Sequence, residues 1–529
     1  MNKKRAPYVV FLCSLPALLL SVACLVPYLD KAFVVDDPVF LLQARQILKE
    51  PRHPMALNIC WVFDNQCEPV AANMPGNFLM SYYLAPVVNR PNPERWVHLM
   101  QIVTLWCGIV AMVSLALRFG FDSFAAGAAG LVLAASPPVL AMASTAMPEV
   151  LAMALSVIGL ERLWAWKEDG KAIDGVISAL ALGLAPIARL HLVLLWPVAA
   201  VLLRDDGRIF DERSWIRLPT RRWLPLICAA FVTSIVVVIT HESGSGLKPT
   251  HMFLRPQSFE HNLLSYLSYW MVCMPLGLAW LVLRNRAVRV WLSPIVMALL
   301  LLRPAGVLFW LAAGLGCVVL LDILLWSLQS RDHRRIACFL WLLLPLAALP
   351  YIQLPVKLLV PCAPAAAMLV ADILPAFRWR RIALCGIVAI GTVFASMILH
   401  ADYQFAEMGR QAAERLVKPR VASGHRVWFA SQWGLYWYAL KAGGQVLGTN
   451  DVPTPGDYLV RGELEGYPET LKRLPPAIQV ETFRIGGSGG RTMSPRDNAG
   501  LYSNSFGDLI WTWGTGEWNH YELWQFRYF

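Results

Sequence analysis

Asp36 and Asp37 stand side by side just after the first apolar run, at the head of the stretch from Phe33 to Leu48. Glu149, preceded by Met147 and Pro148, opens a later apolar run. Arg189 and His191 lie between two others, Arg303 beside Pro304, and Lys357 two residues after Pro355. Carboxylates at a membrane lip serve as a general base or hold a metal, and Arg or Lys beside them hold a phosphate. Each residue also has a plainer reading. Asp36 or Asp37 caps a helix, Pro148 and Glu149 suit a helical first turn, and the cations anchor span ends by snorkelling.

The elements that position these residues follow from composition. Of 529 residues, 57% are hydrophobic and 15% charged, well below the charged share of about 25% in soluble domains. The pattern predicts a polytopic α-helical membrane protein with about 13 spans, over 7–28, 96–117, 123–143, 147–166, 172–187, 190–203, 223–240, 262–283, 287–302, 305–328, 336–351, 355–375 and 381–400. The apolar run after Lys3, Lys4 and Arg5 is longer than a signal-peptide core and lacks a clear cleavage site, so it reads as an uncleaved first span.

The net charge of +11 sits in short loops that alternate with loops poor in Lys and Arg. That is the positive-inside pattern; it forms no basic groove for nucleic acid. It places the N-terminus in the cytoplasm, with the 29–95 loop and the C-terminal tail on the opposite face. Within that loop Phe40, Leu41, Ala44, Ile47 and Leu48 recur at helical spacing, and predict an amphipathic helix lying in the interface. Of eleven cysteines, Cys60 and Cys67 share this loop and are expected to pair.

Composition changes near residue 402. Residues 1–402 read as the membrane domain and 403–529 as a small C-terminal α/β soluble domain. Strands are expected at 426–430, 445–447 and 457–461, with a helix from Trp433 to Ala442. The aromatic density at the end (Trp511, Trp513, Trp518, Tyr521, Trp524, Tyr528) suits strand packing or carbohydrate stacking.

The acid pair after span 1, the interfacial helix, Met147-Pro148-Glu149 and the segment Lys357 to Pro364 together resemble the glycosyltransferase C superfamily. Within it, the nearest relatives are bacterial proteins akin to protein mannosyltransferases and lipid A aminoarabinose transferases. The resemblance covers most of the membrane region. It maps the hallmark acids of the first outer loop on Asp36 and Asp37, a second acid on Glu149, and the late basic segment on Lys357 to Pro361. Two departures stand out. Asn73-Met74-Pro75 occupies the place where many relatives carry Lys-Pro-Pro, and Lys357 replaces the commoner Arg.

The resemblance implies a bacterial inner-membrane glycosyltransferase. It would use a polyprenyl-phosphate sugar donor and act on a lipid, glycan or protein acceptor on the extracytoplasmic face, with inversion. Asp36, Asp37 and Glu149 are then the catalytic acids. Arg189, Arg303 and Lys357 hold the phosphate, or Asp36 and Glu149 hold a divalent metal. A lipid-linked oligosaccharide flippase and a polysaccharide polymerase or ligase remain open as alternatives. Charges gathered at span ends favour an enzyme over a transport pathway.

Overall fold

Proline decides where many of the apolar runs break. The computed structural model describes residues 6–62, 66–70, 77–204, 220–240, 254–273, 275–284, 306–465 and 474–527. Ser136, Pro137 and Pro138 separate helix Ser123–Ala134 from Pro137–Ala143, and the axis turns by 61° between them. Pro275 starts a new helix after Phe259–Val272, and Pro361 sits inside the 3-10 turn Val356–Cys362.

Among the described residues six helices are long and apolar enough to cross a membrane, or seven if the bent pair is one span. The other expected spans, of about thirteen, fall on shorter, broken or less apolar helices or outside the described residues. Residues 172–188 and 190–202 form shorter apolar helices, and the expected span 287–302 lies outside the described residues. Leu19, Phe231, Val238 and Val393 are exposed on the long helices, as befits a lipid-facing surface. The chain is a multi-pass membrane protein.

After the first helix, Ala6–Leu25, the chain runs through a short loop into helix Asp37–Lys49. Val39, Phe40, Leu41, Ala44 and Ile47 are buried on one face of that helix. Leu48 is exposed and Gln43 is buried instead, held by Ser81 Oγ at 2.9 Å and Met55 Sδ at 3.1 Å. The amphipathic helix is therefore present with its stripe rotated from the expected phase. Strands Asn58–Val62 and Gln66–Pro69 follow as a hairpin, joined by a disulfide between Cys60 and Cys67, the expected pair.

The C-terminal region holds a five-stranded mixed sheet in the order Gln445–Val446, Val427–Phe429, Tyr458–Gly462, Glu517–Phe526, Ala477–Gly486. The first three strands are parallel, and Glu517–Phe526 runs antiparallel to both its neighbours. Helix Trp433–Lys441 connects the first parallel pair, as the strand–helix–strand spacing predicted. A continuous helical run of 43 residues, Arg380–Ala422, leads into this region, and residues 402 and 403 lie inside it.

Glu465 is buried beside this sheet, accepting from Tyr521 Oη at 2.6 Å and Ser431 Oγ at 3.3 Å. Burial pushes its carboxyl up to about 7, from an ordinary value of 4.5. The folded chain thus holds this proton more tightly than the unfolded one. Its stabilising contribution is complete below pH 4.5 and is lost as pH rises through about 7, roughly 3 kcal/mol over that window. Glu465→Gln should flatten the pH dependence. Hydrogen exchange of strand Glu517–Phe526 between pH 5 and 8 measures it, and an unchanged slope in the variant would count against the assignment.

Candidate functional site

The loop before helix Asp37–Lys49 makes a tight turn at Val34–Asp37. Val35 has φ +45°, a rare conformation for a β-branched residue. Local strain of this kind is held by the surroundings and clusters at functional sites. The Asp37 N–H donates to Val34 O at 3.0 Å, and Asp37 Oδ2 accepts from the Val34 N–H at 2.9 Å, so the turn closes on itself. Helix Trp433–Lys441 braces it from outside. Tyr438 Oη accepts from the Phe33 N–H at 3.0 Å, and a Cβ on Gly434 would lie 2.6 Å from Phe33 O, so only glycine admits this approach.

Across from this turn lies the segment Ser144 to Pro148, between helix Pro137–Ala143 and helix Glu149–Asp169. Side chains from three places satisfy its backbone. Asp37 Oδ1 accepts from the Ala146 N–H at 2.8 Å, and Gln101 Nε2 donates to Thr145 O and Met147 O at 2.9 and 2.8 Å. Lys31 Nζ donates to Ser144 O at 3.1 Å and also to Asp402 Oδ2. Asp402 accepts in turn from Tyr502 Oη at 2.7 Å. Lys31 and Asp402 are wholly buried. The Tyr502 phenol is raised well above its ordinary value by burial, with Asp402, Asp37 and Glu149 near enough to add to the effect. These acids therefore share one neighbourhood.

Two acid–base pairs flank the Met147–Glu149 turn. Asp36 Oδ2 accepts from Lys357 Nζ at 2.6 Å, and the same Nζ lies 3.8 Å from Met147 Sδ. Glu149, fully buried, accepts from Arg189 through Oε1. Glu149 Oε2, Arg189 Nε and His191 Nε2 are buried atoms without a hydrogen-bond partner. Ordered water or a bound group can meet such atoms.

Asp36, Asp37, Glu149, Arg189 and Lys357 are thus brought together, whereas Arg303 and the Asn73–Pro75 segment lie outside the described residues. One expectation needs correction. Asp37 is the first helical residue, and its carboxylate ties two backbone N–H groups, Val34 and Ala146, instead of capping its own helix. Burial raises that carboxyl to about 7. Asp36 is the residue before the helix and makes no capping bond; its side chain is spent on Lys357.

At the two acids expected to hold a metal, Asp36 and Glu149, the structure shows ion pairs: each carboxylate carries a basic partner, Lys357 on Asp36 and Arg189 on Glu149. Among the described residues one trio of metal-type ligands converges, Glu463, Glu517 and His520 on the C-terminal sheet. Arg496 and Arg484 pair with the two glutamates at 2.6 and 2.7 Å, so that cluster is already charge-balanced.

Sequence reasoning missed Lys31, Gln101, Asp402 and Tyr502. Lys31 left one signal, a lysine in a loop on the face that the charge pattern keeps poor in Lys and Arg. A buried amide on an apolar helix, such as Gln101, gives none beyond its polarity.

No family model matches the chain, and no curated protein matches it. Solved structures similar to it include ArnT from Cupriavidus metallidurans bound to undecaprenyl phosphate, at 14% identity and TM-score 0.43 over 89% of this chain and 96% of that one. Arabinofuranosyltransferase AftD from Mycobacteria matches at 15% identity and TM-score 0.42, over 98% of this chain and 41% of that one. Arabinosyltransferase EmbB from Mycobacterium smegmatis matches at 15% and 0.35, over 79% and 42%. The chain spans less than half the length of these last two. At such identities no residue role transfers between the chains, and the chemistry rests on the side chains described above.

Proposed function

We propose that this protein is an integral-membrane glycosyltransferase that moves a sugar from a polyprenyl-phosphate donor to an acceptor hydroxyl at the Asp36–Lys357 lip. The observation that carries the reading is the pairing itself. Two acids and two cations are held, partly or wholly buried, around one turn, and the cations can exchange their carboxylates for a phosphate.

In this mechanism Lys357 and Arg189 turn to the donor phosphate as it arrives, which frees Asp36. Asp36 takes the proton of the acceptor hydroxyl while its oxygen bonds to the anomeric carbon. The bond from that carbon to the phosphate oxygen breaks, and polyprenyl phosphate leaves with the electron pair, its charge held by the two cations. One displacement inverts the anomeric centre. Glu149 orients Arg189, and Asp37 holds the turn.

The site faces the extracytoplasmic side of a bacterial inner membrane, with the N-terminus cytoplasmic, a placement that the arginine distribution supports. Cysteines introduced singly at positions 50 and 450 should be labelled from outside intact cells and one at position 215 should not; labelling at 215 would reverse the orientation. The reading itself is tested by sugar transfer from a polyprenyl-phosphate donor by purified protein. Lys357→Met should lower kcat/KM by about 10²-fold, the scale for losing one preorganised charge at the leaving group. Equal transfer by wild type and variant would remove Lys357 from the chemistry.

A further inference from the structure

Arg45 lies on the interfacial helix eight residues beyond Asp37, about 12 Å along the axis at the usual rise. Its guanidinium lies over the Trp437 ring, 4.3 Å from the centroid. Arg45 is half-buried, and among the described residues no carboxylate pairs with it. Its Nε has no hydrogen-bond partner. Burial works against its charge, and no neighbouring acid offsets that. Trp437, 1% exposed, also has an indole N–H without an acceptor.

The contrast with the other cations of the site is chemical. Lys31, Lys357 and Arg189 each carry an acid in the resting chain; Arg45 carries none. A desolvated cation stacked on an aromatic face, with a second unpaired N–H donor on that ring, offers only donors and an unbalanced positive charge. A neutral sugar hydroxyl would leave that charge unmet, whereas an oxyanion meets both.

We infer that Arg45 and Trp437 form a second oxyanion-binding site, separate from the Lys357–Arg189 pair, which takes a phosphate or carboxylate borne by the acceptor. The assignment to the acceptor rests on the transferase reading, in which the donor phosphate occupies the other two cations. The oxyanion site itself stands on the unpaired donors alone.

Titration calorimetry of the purified full-length protein with inorganic phosphate tests it, with saturating polyprenyl phosphate present to fill the Lys357–Arg189 pair. Wild type should still bind phosphate. Arg45→Gln should weaken that binding at least 10-fold, and Trp437→Phe, which keeps the ring and drops the N–H, a few-fold. Phosphate binding equal in wild type and both variants would overturn the site. Loss of phosphate binding once polyprenyl phosphate is added would overturn its assignment to the acceptor. A wild type that binds phosphate through Arg45 yet transfers no sugar would sink the transferase reading and leave the oxyanion site in place.

Discussion

Asp36→Asn is expected to fold and insert normally, yet to lower turnover by about 10²-fold or more, the usual scale for a lost general base. The substitution keeps the shape of the side chain, and its amide oxygen still accepts from Lys357. What disappears is the ability to take a proton. Asp37→Asn makes the sharp comparison, because Asp37 accepts from two buried backbone N–H groups and an amide retains one acceptor oxygen. That variant should lose about 1–3 kcal/mol of stability and far less activity per folded molecule. Transfer assays normalised to folded protein distinguish the two. If Asp36→Asn and Glu149→Gln both stay fully active, the acids at this lip are structural.

Lys31→Met should be the more damaging change to the fold. Lys31 and Asp402 are wholly buried partners, and the lysine also holds Ser144 O. Removing one member of such a pair strands a charge in a low-dielectric interior, at a cost of about 3–5 kcal/mol. Replacing both, as Lys31→Met with Asp402→Leu, removes the stranded charge and should recover most of that loss. Thermal unfolding in detergent gives the comparison. A single variant that melts with the wild type would mean that water or lipid reaches Asp402.

The first of these effects was largely legible in the sequence and the second was not. The acids Asp36, Asp37 and Glu149 and the cations Arg189 and Lys357 announce themselves because ionisable residues at span ends are costly. Charge alternation predicts their sidedness, whereas which acid meets which cation depends on how broken helices close around Ser144–Pro148. Hydropathy weighs the apolar content of a run and ignores proline inside it, so it does not show where Ser123–Ala134 and Pro137–Ala143 part.

The interfacial helix was predicted with a shifted stripe. Its burial is set on several sides, by helices Leu79–Leu84 and Trp433–Lys441 among them, and not by a single lipid plane. The C-terminal strands were readable from local alternation. The change in composition near residue 402 falls within the unbroken helix Arg380–Ala422, because composition follows the medium around a helix while hydrogen bonding continues through it. Lys31, Asp402 and Tyr502 come together from three distant parts of the chain, and no local pattern marks such a meeting.

The most direct measurement is a structure of the purified protein with polyprenyl phosphate bound. The phosphate is expected between Lys357 and Arg189, with oxygens about 3 Å from their nitrogens and the Asp36–Lys357 contact opened so that Asp36 faces the acceptor side. A lipid phosphate seated elsewhere, with the Asp36–Lys357 and Glu149–Arg189 pairs both intact, would contradict the assignment of this lip as the place of sugar transfer.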